Sequence, residues 1–269
     1  RGEPAGPVRP SGSRPAPERT IQSLADVHAA IDHYVAAIPV ERVLSMATHV
    51  STDIDYAAVD AATMAAALAR RSQAGTAERD IYAAYINEAF LDRLERTHGD
   101  RLVFQFSLGA EPLPHETGSR LCQRTIAQLA QIISRHPGMR FQCFLASRHA
   151  NQAMCSLARE LPNLSLAGYW WHNFFPSSIR QIMEERLDML PASKQIGHFS
   201  DAYCVEWAYA KLQLVRRQLA AVLARSVCEG QHSEAEALDI ARAILWDSPR
   251  QLLRLEPARC PQAAGEAGR

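Results

Sequence analysis

Apolar residues along the chain fall into two alternating kinds of run. Five are short and nearly continuous: VLSMATHV over 43–50, LVFQFSLG over 102–109, MRFQCFLA over 139–146, LSLAGYWW over 164–171 and IGHFSD over 196–201. Their length suits strands, and their continuity suits strands buried on both faces of a parallel sheet. Between them lie longer amphipathic stretches that predict helices over 22–38, 56–97 with a break near Gly75, 116–135, 149–160, 177–189, 203–228 and 233–246. Thr20 and Ser23 offer caps for the first helix, and Ser233 with Glu236 has capping-box spacing for the last.

Alternating strands and helices over this length predict parallel βα units, arranged as a doubly wound sheet or as a barrel. Either arrangement places ligands at the C-terminal ends of the strands. The residues to inspect there are Ser107 to Ala110, Ser147 to His149, Trp170 to Asn173 and His198 to Tyr203. Before the first predicted helix, residues 1–19 are Pro, Gly, Ser and Arg with almost nothing apolar, and residues 258–269 look equally loose. Such segments cannot offset their ordering entropy, so they are expected to be a disordered leader or linker and a disordered tail around a structured 20–257.

Composition narrows the partners. Of 269 residues, 47% are hydrophobic, enough for a substantial core. Twenty-nine basic residues balance twenty-nine acidic ones, so no general field attracts nucleic acid or an anionic membrane, and a small molecule or another protein is the expected partner. The six cysteines form no C-x-x-C pair, which predicts a reducing, cytoplasmic setting. No apolar run reaches the roughly 18 residues that a membrane span needs.

Chemistry-bearing residues gather where the apolar runs end. Asp201 closes the fifth run just before a long helix, as either the N-cap of that helix or a metal-binding or acid/base carboxylate. In GYWWHNFFP, Trp170 and Trp171 precede His172 and Asn173. On a strand the two indoles face opposite sides, so one can wall a sugar-like pocket while the other packs, although both can equally be core. Arg148 offers a fork for a carboxylate or, with His149, a salt bridge at a helix start. His49 reads more simply as a structural histidine. Ten histidines occur without H-x-H, H-E-x-x-H or H-x-x-E-H, so the usual two-histidine zinc anchor is absent. No G-x-G-x-x-G, P-loop or G-x-S-x-G pattern is present either.

Taken in order, STDIDYAAVDAATMAAALARRSQAG, FLDRLERTHG, VFQFSLGA, the run ending near Arg148, GYWWHN, FSDAY, LVRRQLAAVLARSVCEG and ILWDSPRQLL resemble the uronate isomerase family of the amidohydrolase superfamily, from about Thr20 to Leu255. The resemblance implies a distorted TIM-type β/α barrel of which this chain carries the last five strands. It implies aldose–ketose isomerisation of a hexuronate, such as D-glucuronate to D-fructuronate, by a proton shift between C2 and C1 assisted by a divalent metal, zinc being favoured.

By the same resemblance Asp201 is the metal ligand and catalytic residue, and Arg148, Trp170, Trp171, His172 and Asn173 line the pocket for a small sugar acid. Ser107 stands where the family has histidine, Tyr203 where it has arginine, and the family's first-strand H-x-H does not occur in this chain. The metal site is therefore expected to be incomplete, and self-association is expected to cover the open edges. The alternatives are a metal-dependent hydrolase or decarboxylase on the same scaffold, and an inactive barrel or fragment serving as an interaction module.

Overall fold

All five expected strands form and join into one parallel sheet. The computed structural model of the chain describes residues 21–71, 75–109, 122–172 and 174–255, so the expected leader and tail lie outside the described residues. The strands are β1 (Ser45–Val50), β2 (Val103–Leu108), β3 (Arg140–Leu145), β4 (Leu164–Ala167) and β5 (Gln195–Ile196), paired in the order β1-β2-β3-β4-β5. A doubly wound sheet would reverse this order at a switch point. The unbroken sequence of parallel neighbours is that of a barrel segment, open at both edges among the described residues.

The helices are α1 (Leu24–Ala36), α2 (Ala61–Ala69), α3 (Thr76–His98), α4 (Gln123–Arg135), α5 (Asn151–Glu160), α6 (Pro176–Met189), α7 (Val205–Cys228), α8 (Glu234–Arg242) and α9 (Ser248–Leu252). Ser23 with Asp26 and Ser233 with Glu236 make capping boxes at α1 and α8. The break expected near Gly75 separates α2 from α3, where Gly75 is the N-cap of α3. A π-helical turn, Ala243–Asp247, joins α8 to α9.

Strand periodicity divides the sheet into two unlike faces. Phe104, Phe106 and Leu108 of β2, Phe141, Cys143 and Leu145 of β3, and Leu164 and Leu166 of β4 pack in one core with Leu91 and Leu94 of α3, Ile133 of α4 and Met154 of α5. The intervening residues carry polar groups: Gln105 Nε2 donates to Gln142 Oε1 at 2.8 Å, and Gln142 Nε2 reaches Ser165 Oγ at 3.5 Å. On this face Phe144, Ala167 and Ile196 form a second, apolar cluster with Trp170, Phe199, Leu252 and Leu253.

Two strands are shorter than expected. The run 164–171 leaves the sheet after Ala167, because Gly168 adopts φ +51° and Trp170–His172 coil into a 3-10 turn. The two tryptophans are therefore not alternating strand residues. The run 196–201 keeps only Ile196 in β5, since the Gly197 N–H donates to Ile244 O of the π turn at 3.0 Å rather than to a strand.

Beneath the bend at Gly168 lies a fully enclosed cation. Arg186 of α6 is 2% exposed and donates to Gly168 O at 2.8 Å and to Asn151 Oδ1 at 3.0 Å, with its guanidinium 5.3 Å from the Tyr169 ring centroid. Replacing it by Met leaves both oxygens without their donor inside the protein, where each lost partner costs about 1–3 kcal/mol. Arg186→Met is expected to lower unfolding free energy by about 2–4 kcal/mol in urea melts.

Candidate functional site

The C-terminal end of the sheet is assembled by register. His49 of β1 lies opposite Ser107 of β2, which lies opposite Phe144 of β3, so the three share one row across the sheet. The loop after β4 brings Trp170 over this row, edge-on to His49 with ring centroids 6.3 Å apart. The loop after β5 brings Phe199, which stacks on Phe144 at 4.2 Å, and then Asp201.

Asp201 meets Trp170, whose Nε1 donates to Asp201 Oδ2 at 3.1 Å. Asp201 is exposed and sits at φ +44°, a left-handed conformation that is uncommon outside glycine, asparagine and aspartate. It does not cap the following helix, because the N-cap of α7 is Cys204; the capping alternative is thus removed. The strained loop is held from behind by Lys211 of α7, whose Nζ donates to Ser200 O at 2.8 Å and to Asp201 O at 3.1 Å. Lys211 is 5% exposed, with its ammonium 4.3 Å from the Phe174 ring centroid and 5.4 Å from that of Trp207.

Arg148 lies in the 3-10 turn after β3, where it is exposed and donates to Gln181 Oε1 at 2.5 Å. This contact replaces the salt bridge considered for that helix start. His172 is buried at the end of the Trp170–His172 turn, and its Nε2 has no hydrogen-bond partner. Burial, aided by the nearby charges of Arg186 and Arg148, lowers its pKa to about 4, so the ring is neutral at physiological pH. His198 is likewise held below its ordinary value by burial and by Lys211. The structure thus couples Trp170 to Asp201 directly and sets His172 within the influence of Arg148. Trp171 is placed only by its backbone in the turn, and Asn173 lies outside the described residues.

Lys211 and Arg186 were missed by motif reading, yet both carry a sequence signal. Lys211 continues the stripe of Val215, Leu219 and Val222 on α7, and Arg186 continues that of Ile179, Ile182 and Met183 on α6. A charge on a core-facing stripe must find internal partners.

No protein-family model matches the chain. It is 30% identical, over 112 residues, to a uronate isomerase of Phenylobacterium zucineum (strain HLK1), a match covering 41% of this chain and 23% of that protein. Its fold superposes on a uronate isomerase of Thermotoga maritima with a TM-score of 0.75 at 16% identity, covering 86% of this chain and 54% of that one. Part of this chain is thus similar in sequence to a uronate isomerase, and its fold is that of the solved uronate isomerases. A glucuronate isomerase of Caulobacter crescentus gives the same TM-score, 0.75, at 17% identity over 88% of this chain and 52% of its own. The chain therefore spans about half the length of these solved isomerases. The parallel sheet expected from the motifs is present.

No helix among the described residues is long and apolar enough to cross a membrane. Among the described residues, Asp201 belongs to no group of three metal-type donors; Glu88, Asp92 and His136 form one elsewhere.

A buried imidazole with a lowered pKa stabilises the fold while it is neutral. That contribution is fully present above the unfolded value near 6.5 and is lost as pH falls toward about 4. Stability is expected to drop by about 2–3 kcal/mol across this window from His172 alone. A His172→Gln variant should flatten that limb in denaturant melts taken at successive pH values.

Proposed function

We propose that this chain supplies the hexuronate-binding part of a uronate isomerase-type barrel, acting in aldose–ketose isomerisation of the D-glucuronate to D-fructuronate kind. The observation that supports this reading most is the Trp170–Asp201 hydrogen bond at the C-terminal end of a parallel sheet, with His49 against the same indole. An indole face beside a carboxylate suits a sugar ring, which has apolar C–H faces and polar edges. Arg148 is an exposed guanidinium able to form two parallel bonds with a uronate carboxylate. His172, neutral and with a free ring nitrogen, can hydrogen-bond a sugar hydroxyl without adding charge. Asp201 is the residue proposed to move the proton between C2 and C1.

The donors fit a metal at Asp201 poorly. One carboxylate oxygen accepts from Trp170, and no second and third donor stand close by among the described residues. A divalent ion there requires ligands beyond these, and no step is assigned to it. This same shortfall favours a second reading, in which the sheet binds a sugar acid or a second copy of the chain without turnover.

Binding of D-glucuronate to the purified 269-residue chain, followed by ligand NMR and by Trp fluorescence, tests the proposal. Arg148→Ala is expected to weaken binding by tenfold or more, since a bond to a charged group contributes about 1.5–3 kcal/mol. Trp170→Ala should weaken it as well. Binding of glucuronate no tighter than glucose would remove the carboxylate role. Binding without ketose formation would select the second reading.

A further inference from the structure

A second donor cluster lies at the other end of the sheet. His136 ends α4 a few residues before β3 begins, and so sits at the N-terminal end of the strands, whereas Asp201 follows the C-terminal end of β5. Its side chain is 1% exposed, and its Nδ1 is 2.9 Å from Glu95 Oε2 of α3. A carboxylate on Nδ1 fixes the tautomer of a neutral imidazole and presents the lone pair at Nε2, the arrangement that second-shell carboxylates give to metal-binding histidines. That Nε2 is buried and has no hydrogen-bond partner.

What faces it is acidic. Glu88 Oε1 lies 3.5 Å from His136 Nε2, and Asp92, one helical turn after Glu88 on α3, brings its Oδ1 to 3.9 Å from the Nδ1 side of the same ring. One donor atom each from Glu88, Asp92 and His136 fall within 4.8 Å of one another. Tetrahedral ligands about 2.0–2.2 Å from a common zinc ion stand about 3.3–3.6 Å apart, so these donors must draw together to bind one. Asp92 is the mobile member, its side chain being 55% exposed, and can close the gap by a rotamer change.

We propose that Glu88, Asp92 and His136 form a site for a divalent transition-metal ion of the zinc or cobalt class, which staples α3 to the turn between α4 and β3. One imidazole and two carboxylates suit such ions, and the exposed side of Asp92 leaves a position for water. Arg135 holds Glu88 through two bonds, 2.5 and 2.7 Å long. A carboxylate offers about four lone-pair directions, so this clamp orients Glu88 and leaves it able to ligate. The N-terminal end of a parallel β/α sheet is where stability rather than chemistry is built, hence a structural ion. The site stands apart from the hexuronate reading and does not depend on it.

Without the ion, the same residues are an ion-pair cluster. Burial alone would lower the pKa of His136, but the Glu88 and Glu95 carboxylates outweigh it and raise the value. Arg135 and Asp92 complete the charged groups around the ring. A metal must displace the imidazole proton, so its affinity rises with pH.

The test is titration of the chelator-treated full chain with Co²⁺ near neutral pH, read by visible absorption and by equilibrium dialysis. Stoichiometric binding is expected, weakened roughly tenfold or more by Asp92→Asn and tightening as pH is raised from about 6 to about 8. His136→Gln should abolish it, and Asp201→Asn should leave it unchanged. Asp92→Asn carries the decision, because an exposed side chain can be changed without unfolding the chain, as circular dichroism would verify. Absence of Co²⁺ binding, or affinity in Asp92→Asn within about threefold of the parent, overturns the proposal.

Discussion

Everything at the C-terminal end of the sheet depends on how closely two backbones approach at Gly168. A Cβ on this residue would lie 2.2 Å from Phe199 Cβ and 2.7 Å from Phe199 N, so only glycine lets the loop after β4 touch the loop after β5. The positive φ there also turns the chain out of the sheet, which starts the Trp170–His172 turn. Its own polar atoms complete the joint: the N–H donates to Ile196 O at 2.7 Å, and the carbonyl accepts from Arg186. Trp170 reaches Asp201 because these two loops are locked together one layer below.

Two buried cations stabilise this joint in the same way. Arg186 and Lys211 are each nearly sealed from water, and neither has an acidic side chain among its recorded hydrogen-bond acceptors. Both charges are spread over carbonyl oxygens and aromatic faces, a neutral solvation shell made by the protein. A full positive charge is thereby placed behind each loop without an ion pair to the outward-facing carboxylate of Asp201. Burial lowers the pKa of the neighbouring histidines, His172 and His198, and the charges of Arg186 and Lys211 respectively add to that shift.

The sheet was legible because buried parallel strands write themselves as apolar runs, and β1, β2 and β3 fall within one or two residues of the runs that predict them. The last two strands were overdrawn for a physical reason. Hydrophobicity continues through Tyr169, Trp170 and Phe199, but Tyr169 packs among the helices α6 and α7 while Trp170 and Phe199 pack loops over the sheet, and none extends it. Pattern alone cannot separate the two uses of an aromatic residue. Asp201 and Trp170 were recognisable as candidates from their positions at run ends, while their contact follows from a glycine whose role emerges only when two distant loops meet. Glu88, Asp92 and His136 were invisible to motif reading, since two come from a helix face and the third from a turn 44 residues after Asp92 in the chain.

The π turn gives the chain an unusual dependence on its own distant segments. Ile244 O takes the Gly197 N–H at 3.0 Å, and Ile244 Cγ2 occupies the space where a Cβ on residue 197 would sit, 2.4 Å away. The π geometry inserts an extra residue into the helical repeat and thereby aims that carbonyl inward. The path by which β5 leaves the sheet toward Asp201 is consequently set from a helix some fifty residues downstream. Inserting or deleting a single residue between α8 and α9 would act as a change in the loop chemistry at the far end of the strand, a form of variation that leaves every candidate site residue intact.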